Sequence, residues 1–352
     1  MDLISFIVPV FNLREDELSN CISSIASQTV SKDSYEIIIV DDGSFNGIQS
    51  ACDSLGNKYG ATVIHQPNQG LAVARNTGIK ASKGDWIVHV DGDDWVDTEL
   101  AASLLQSIKI KVSDIVVWGY IIANGNNRQE LLLRNKAAFA KDYQSIREDA
   151  LCSILDYDTS FSALALNTSW GKAYRRGFLE NCQLYYNPSL RRAQDAVYNL
   201  SAFYFAGCVS YIDKALSYYR NDNESLSRGY NPKTYDYIKL TASAVRSFVS
   251  EKDLSPRVRD AADVFIKRCF RMINVQDYQH RDNKKSYSER KRDFMEGFAT
   301  EPFRSAFVNK ISKPGVVNKM SDFLYRNKMF GWILLFNSSI SFASRIKRLI
   351  RI

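Results

Sequence analysis

Short apolar runs alternate with amphipathic stretches over the first 120 residues. Runs of strand length occupy residues 5–10, 36–40, 62–66, 86–90 and 115–118. Between the first two runs, Leu18, Ile22, Ile25 and Ala26 recur at helical spacing. Several runs are apolar nearly throughout, as expected for strands covered on both faces. The pattern predicts an α/β fold with a Rossmann-like, mainly parallel sheet that is sandwiched by helices.

The remaining pattern predicts a domain boundary near residue 230. We expect a polar loop over residues 124–135, helices over 143–155 and 195–205, and strands over 209–212 and 216–219. Beyond Pro232, apolar residues recur at helical spacing. The sequence therefore predicts an α/β domain over residues 1–230 and a helical C-terminal domain over residues 231–352.

Composition indicates a packed globular chain with a basic end. Hydrophobic residues make up 45% of the sequence and aromatic residues 12%, which excludes wholesale disorder. The net charge is +7, yet residues 309–352 alone hold nine Lys or Arg and the single acid Asp322. The other residues therefore sum to −1, with 37 basic and 38 acidic side chains. A charge confined to one tail predicts a segment that binds a surface, either membrane or nucleic acid.

The end of this tail has an amphipathic pattern. Phe342, Ile346, Leu349 and Ile350 fall at helical spacing among basic residues. Such a helix either lies on a membrane surface or packs on the protein's own helices or a second subunit, as in a homodimer. Because the six cysteines include no CxxC pair and the N-terminus has no export signal, we expect a cytoplasmic protein, held peripherally at the inner face of the plasma membrane.

Acidic side chains follow two of the predicted strands. Asp41 and Asp42 come at the end of the second strand, and Asp91, Asp93 and Asp94 follow the fourth. Taken singly, each cluster could be an ordinary turn. Since the carboxyl ends of neighbouring parallel strands share one crevice, we expect the two clusters to converge there. Oxygen ligands without Cys or His nearby favour Mg²⁺ or Mn²⁺. The three histidines have no spacing typical of a metal site and are interpreted as structural.

Three sequence segments carry a family resemblance. SFIVPVFN, EIIIVDDGS and HQPNQGLAVARNTGIKASKGDWIVHVDGDDWV occur in order through most of residues 3–96, with weaker matches to about residue 228. The series resembles the family 2 glycosyltransferases, whose nucleotide-binding half has the GT-A fold. The resemblance implies an inverting, metal-dependent transfer of a hexose or N-acetylhexosamine from a UDP-sugar to a glycan acceptor hydroxyl. It implies a nucleotide-sugar half over about residues 1–120, an acceptor half over 121–230, and a role in bacterial surface polysaccharide synthesis.

The resemblance also implies residue roles at the donor. Pro9, Val10 and Phe11 would border the base, and Asp41 or Asp42 would hydrogen-bond it. Arg75 would approach the donor or brace the acidic cluster, and Asn76 would support that loop. In the DxD pair, Asp91 would lie near the ribose or sugar and Asp93 on the metal, with both counted as metal ligands. Arg220 or Arg228 would meet the diphosphate, unless both belong to a solvated surface loop.

On the acceptor side, the segment NTSWGKAYRRGF resembles a family motif. It places Trp170, together with Asp94, at the acceptor, although Trp170 could equally be core and Lys172 a solvated side chain. Asp195 takes the position of the family's catalytic base, with Gln194 where Glu is usual. The alternative is that Asp195 merely caps the helix that follows.

Two rival functions remain open at this point. A nucleotidyltransferase also holds a metal with paired aspartates, but it would need a glycine-rich or basic phosphate cradle, and FNLREDELSN after the first strand is acidic. A non-catalytic membrane-associated protein could retain the same fold. We expect a UDP-sugar and a glycan acceptor, free or lipid-linked, as partners. We expect no nucleic acid, because basic and aromatic residues do not interleave in the sheet region.

Overall fold

The computed structural model describes residues 2–133, 142–155, 161–221, 229–310, 315–337 and 339. The chain forms two compact units, residues 1–224 and 225–352. The first is an α/β unit and the second is helical. This confirms the predicted fold class, while the division of the first unit into donor and acceptor halves stays a prediction.

A layer of four parallel strands begins the first unit, in the order β3-β2-β1-β4. Its strands are β1 (Ile4–Val10), β2 (Tyr35–Asp41), β3 (Thr62–His65) and β4 (Trp86–His89), and its helices are α1 (Glu15–Ala26), α2 (Ile48–Tyr59) and α3 (Leu71–Ala81). A short 3-10 turn spans Lys32–Ser34. β1 is buried along its whole length, which explains its continuous apolar sequence.

The second half of this unit extends the sheet with strands of both directions. It contains β5 (Trp95–Val96), α4 (Leu100–Ile110), β6 (Ile115–Asn124), β7 (Asn127–Leu131), α5 (Tyr143–Ile154), a 3-10 turn (Ser162–Leu164), β8 (Lys172–Arg175), α6 (Arg176–Asn181), α7 (Gln194–Phe205) and β9 (Val209–Arg220). β8 lies antiparallel between β4 and β6, whereas β9 is parallel to β6 and antiparallel to β5. The sheet is therefore mixed, and the expected parallel arrangement holds for its first four strands.

Two local predictions were wrong for identifiable reasons. Residues 127–131 form β7 against β6 instead of a loop; their sequence, NRQEL, is solvent-exposed and carries no apolar alternation. The two strands expected around residues 213–214 are one strand, β9. Ile212 pairs with Trp118 and Ala215 with Gly119, so Asp213 and Lys214 form a bulge that interrupts the apolar pattern but not the strand.

Helices cover both faces of the sheet. On one face, Phe6 and Val8 of β1 belong to a large apolar core with Leu18 and Ile22 of α1. On the other face, α3 packs so closely that a Cβ on Gly78 would lie 2.3 Å from Cγ2 of Ile7. Glycine is therefore required there, and it brings the side chains of α3 directly onto the carboxyl edge of the sheet.

The second unit is built around aromatic side chains. Its helices are α8 (Thr234–Glu251), α9 (Pro256–Ile273), a π turn (Asn274–Tyr278), α10 (Tyr287–Ala299), α11 (Phe303–Val308) and α12 (Val316–Arg326), and residues 330–337 are also helical. The ring of Phe270 contacts those of Phe294, Phe298, Phe303 and Phe307. α9 begins with a side-chain cap: the Ser255 hydroxyl accepts the Val258 N–H, and Pro256 lies in the first turn. In the described part of the chain, every helix is too short or too polar to cross a bilayer.

His65 ties the edge strand of the first unit to its neighbours. Its register partner on β2 is Asp41, and Nδ1 of His65 lies 2.9 Å from Oδ2 of that residue. On the other side of the ring, Nε2 lies 3.1 Å from Oδ1 of Asp53 on α2. Hydrogen bonding to Asp41 and then to Asp53 raises the pKa of His65. The protonated ring can donate to both carboxylates at once.

We predict that this histidine stabilises the fold more at low pH than at high pH. A raised folded-state pKa means that the contribution is complete below the unfolded value and is lost as pH rises through the folded value. Urea unfolding should show a larger stability advantage of the wild type over His65→Asn at about pH 5.5 than at about pH 8.5. Asp53→Asn, which removes one partner, should weaken this trend, and an advantage independent of pH would contradict it.

Candidate functional site

The carboxyl ends of β1 and β2 are joined by interlocking loops. The backbone N–H of Asn12 donates to Oγ of Ser44 at 3.0 Å, and the N–H of Phe45 donates to Oδ1 of Asn12 at 3.0 Å. The rings of Phe11 and Phe45 meet edge to face, with centroids 6.0 Å apart. Phe11 is 37% exposed. The predicted base-binding segment thus ends in accessible aromatic rings, while Pro9 and Val10 are buried in β1.

Asp41 and Asp42 are both buried and both engaged by protein groups. Asp41 accepts the Ser44 N–H at 3.1 Å in addition to its contact with His65. Asp42 accepts the side-chain amide of Gln66 at 2.7 Å and the backbone N–H groups of residues 69 and 70 at 2.9 and 2.7 Å. The second carboxylate therefore holds the loop that leads into α3.

α3 presents Arg75 to two carboxylates from distant parts of the chain. Nη2 of this fully buried guanidinium donates to Oδ1 of Asp91 at 2.7 Å, just after β4. Nη1 donates to Oδ1 of Asp195 at 2.5 Å, 120 residues further along the chain than Arg75. The guanidinium also lies over the ring of Tyr186, 5.3 Å from its centroid. One side chain thus brings together the predicted DxD segment and the predicted base.

Asp195 lies in the first turn of α7 with a partly exposed side chain. Ala193, in a left-handed conformation with φ of 47°, occupies the N-cap position, so the alternative that Asp195 caps this helix is wrong. The Asp195 side chain is 22% exposed. Burial raises the pKa of Asp195, whereas Arg75 and a hydrogen bond from Ser169 oppose that rise. The carboxylate is therefore held in place yet reachable.

The DGDD turn is crowded with negative charge. Burial, followed by the charge of Asp91, raises the pKa of Asp93 to about 6. Burial and the charges of Asp93 and Asp91 raise the pKa of Asp94 well above its usual range. Asp94 accepts the backbone N–H of Arg220 at 2.7 Å, so its carboxylate anchors the end of β9. The oxygens available to a cation here are those of Asp91 and Asp93.

Arg220 lies beside this turn. Its Nε donates to the backbone carbonyl of Asp93 at 2.9 Å, and its guanidinium stacks over Trp95 at 5.3 Å from the ring centroid. The structure thus brings Arg220 to the DxD segment, whereas Arg228 lies outside the described residues. Across the described ranges, His, Cys, Asp and Glu side chains form no group of three or more that could hold a metal by itself.

The predicted acceptor motif is more buried than a binding surface requires. Trp170 is stacked on Tyr219, with centroids 5.6 Å apart, and meets Tyr120 edge to face at 4.9 Å. Lys172 is fully buried, so the solvated-lysine alternative is wrong. Its Nζ donates to the carbonyls of Ala165, Thr168 and Trp170, and burial lowers its pKa to about 7. The lysine closes the turn beneath the site, and the packing of Trp170 favours its role as core.

Further buried residues support Arg75, and of these the resemblance had named only Asn76, as a support of its loop; Ser169 and Tyr186 were not predicted from sequence. Asn76 exchanges two hydrogen bonds with the backbone of Tyr186, at 2.7 and 2.9 Å, and so positions the ring under Arg75. The Tyr186 hydroxyl donates to Ser169 at 2.9 Å. His89, interpreted as structural, is buried beside this ring, and neither ring nitrogen has a hydrogen-bond partner among the described residues. Burial lowers the pKa of His89 well below its usual value, so the ring is neutral.

Comparison with known proteins places this geometry in a family. A model described as glycosyl transferase family 2 matches residues 5–182. The chain is 31% identical over 268 residues to the Bacillus subtilis protein named uncharacterized glycosyltransferase EpsJ, covering 76% of this chain and 75% of that one.

Solved structures share the fold at low sequence identity. S. aureus TarS 1-349 in complex with UDP-GlcNAc superimposes with a TM-score of 0.63 at 18% identity, covering 97% of this chain and 92% of that one. A mannosyltransferase from Pyrobaculum calidifontis in complex with GDP-Man and Mn²⁺ gives a TM-score of 0.53 at 13% identity, covering 96% and 88%. The family match spans just over half of the chain and confirms the resemblance of its motifs: this protein belongs to the family 2 glycosyltransferases.

Proposed function

We propose that this enzyme transfers a hexose or N-acetylhexosamine from a UDP-sugar to a glycan acceptor hydroxyl, with inversion and with help from a divalent metal, in bacterial surface polysaccharide synthesis. The observation that carries the proposal is the Arg75 bridge between Asp91 and Asp195. Because both carboxylates contact one guanidinium, they lie close together, which supports a DxD carboxylate and a base that act on the same substrate. Two similar structures, solved in complex with UDP-GlcNAc and with GDP-Man and Mn²⁺, support a nucleotide-sugar donor.

The donor would lie along the carboxyl edge of β1, β2 and β4. Phe11 and Phe45 offer ring faces to a base, and the buried Asp41 and Asp42 hold the loops that frame it. Arg220, beside the DGDD turn, is placed to meet diphosphate charge. An arginine suits this role because its planar fork donates to two phosphate oxygens at once.

Asp91 and Asp93 fit a divalent cation. Their donors are oxygen atoms only, and the raised pKa of Asp93 reflects burial and a neighbouring charge that a cation would offset. Two carboxylates leave coordination positions for phosphate oxygens, as Mg²⁺ and Mn²⁺ sites usually do. When bound, such an ion offsets the charge that grows on the leaving diphosphate.

Asp195 acts as the base. Its partly exposed carboxylate can accept the proton of an acceptor hydroxyl that attacks from the face opposite the leaving nucleotide. Burial raises its pKa towards the working range of a base, and Arg75 keeps the ionised form oriented. Gln194 is buried next to it in place of the family's Glu, so orientation here comes from Arg75 and Ser169.

The acceptor is a growing glycan, carried on lipid, and the enzyme works at the cytoplasmic face of the plasma membrane. The basic C-terminal segment supports this attachment, although residues 340–352, with the predicted amphipathic helix, lie outside the described residues. Family membership displaces the nucleotidyltransferase alternative. A non-catalytic relative remains the second candidate.

One experiment tests both the activity and the donor. Protein, Mn²⁺ and each of a panel of nucleotide sugars are incubated with and without a glycan acceptor mixture, and released nucleotide is measured by mass spectrometry. Release of UDP from one UDP-sugar is expected. Binding of UDP without release from any donor would favour the non-catalytic alternative.

We predict that Asp93→Ala lowers metal-dependent UDP release by about 10²-fold or more, because diphosphate charge is left uncompensated in the transition state. Steady-state release in Mn²⁺ is the measurement. The matched control is Glu99→Ala, which changes an exposed acid just before α4 and should keep full activity. Wild-type activity of Asp93→Ala would remove this residue from the metal site.

We predict that Asp195→Asn slows transfer by roughly 10²-fold or more while UDP binding is kept, since an amide preserves shape but cannot take the proton. Transfer rate and UDP affinity are measured on the same preparation. Asp213→Asn, at the exposed bulge of β9, is the control. A transfer rate within a few-fold of wild type, on the scale of ordinary kinetic error, would mean that another group is the base.

A further inference from the structure

The outward face of α12 is apolar. Val316, Met320 and Phe323 fall at i, i+4 and i+7 and therefore share one face of the helix, with Val317 beside them. All four are exposed, and Val316 reaches 81% and Phe323 51%. A helix of a globular protein normally turns such residues inwards. This face therefore has the character of a contact surface.

Polar contacts fix the helix in this orientation. Asp322, on the inward face, is buried and forms an ion pair with Arg271 of α9. Next to it, the buried Tyr325 hydroxyl accepts a hydrogen bond from Nδ2 of Asn274 at 2.8 Å. Rolling the helix to bury its apolar face would expose or break these contacts, which is costly for a buried charge. The outward apolar face is thus a property of the fold.

The charged residues that flank this face along the chain are basic. Lys319 is exposed between Val316 and Phe323, Arg326 follows one turn later, and Lys328 is exposed just beyond the helix. The only acid of α12 is Asp322, which points inwards. An apolar stripe on a helix whose exposed charges are all basic complements an anionic lipid surface.

We propose that the outward face of α12 docks on the anionic headgroup surface of a membrane, with Val316, Val317, Met320 and Phe323 inserted and the basic side chains at phosphate level. A helix of 11 residues is about 16 Å long, so it lies in the plane of the interface and does not span it. Lysine and arginine stems can cover apolar surface while their charges stay among the headgroups.

This inference rests on the membrane attachment proposed above and assigns it to residues of the folded second unit. A second copy of the chain is a poorer occupant. In a two-fold contact the same patch faces itself, which would bring the cationic rims of both copies together. Like charges opposed in this way are unfavourable, whereas anionic lipid neutralises them.

Vesicle flotation with the full-length protein tests the proposal at low salt. Vesicles contain either phosphatidylcholine alone or phosphatidylcholine with phosphatidylglycerol. Wild type should float with the anionic vesicles, and Val316→Glu/Phe323→Glu should float at least about tenfold less, since two inserted apolar side chains are replaced by repelled charges. The matched control is Val112→Glu, a valine that is 79% exposed in the first unit, and it should float like wild type.

A second variant separates this face from the tail. In it, Arg345, Lys347, Arg348 and Arg351 are changed to Gln. Loss of flotation in this variant together with full flotation of Val316→Glu/Phe323→Glu would overturn the α12 assignment and leave attachment to the tail. Failure of the wild type to float would overturn both.

Light scattering and UDP release complete the test. A wild-type dimer that becomes monomeric in Val316→Glu/Phe323→Glu would assign the face to a second copy and overturn the lipid proposal. UDP release in solution should be unchanged in every variant, so that loss of docking is distinguished from failure of the proposed transferase activity.

Discussion

A single buried guanidinium organises the candidate site of the first unit. Arg75 is removed from water and would be strongly destabilising without counter-charges, and it has two, Asp91 and Asp195. Asp91 lies in the turn after β4, and Asp195 lies in the first turn of α7. The requirement for charge pairing therefore fixes the positions of both segments relative to α3. The same pairing orients the proposed base and holds one carboxylate of the proposed metal site.

Other buried polar groups hold the segments around Arg75 in place. Asp42 accepts two backbone N–H groups in the loop that leads into α3, and Asn76 exchanges hydrogen bonds with the backbone of Tyr186, whose ring lies against the guanidinium. Lys172 donates to three carbonyls in the turn that leads into β8. Each contact satisfies groups that would otherwise be costly to bury, so the wall of the site is rigid before a substrate arrives.

A similar constraint acts in the helical unit with a different outcome. The buried pair of Arg271 and Asp322 sets the rotation of α12, and the apolar residues that are left over face solvent. In the first unit the buried ion pairs bring the candidate site residues together. In the second unit the buried ion pair leaves an apolar helix face exposed. Both follow because a buried charge that loses its partner is strongly destabilising.

Sequence alone determined the α/β class, the positions of the first strands along the chain, the helical second unit and the family, because periodicity and the motif series are local along the chain. It also singled out Arg75, Asp91, Asp93 and Asp195 as candidates. Only the tertiary structure decided that one guanidinium joins Asp91 to Asp195, that Ala193 and not Asp195 occupies the N-cap position of α7, and that Lys172 is buried. β7 and the bulge in β9 were also not predicted from the sequence, since their polar residues show no alternation of apolar and polar positions. These features depend on desolvation and on contacts between segments up to 120 residues apart. A local sequence pattern predicts neither the desolvation nor the contacts.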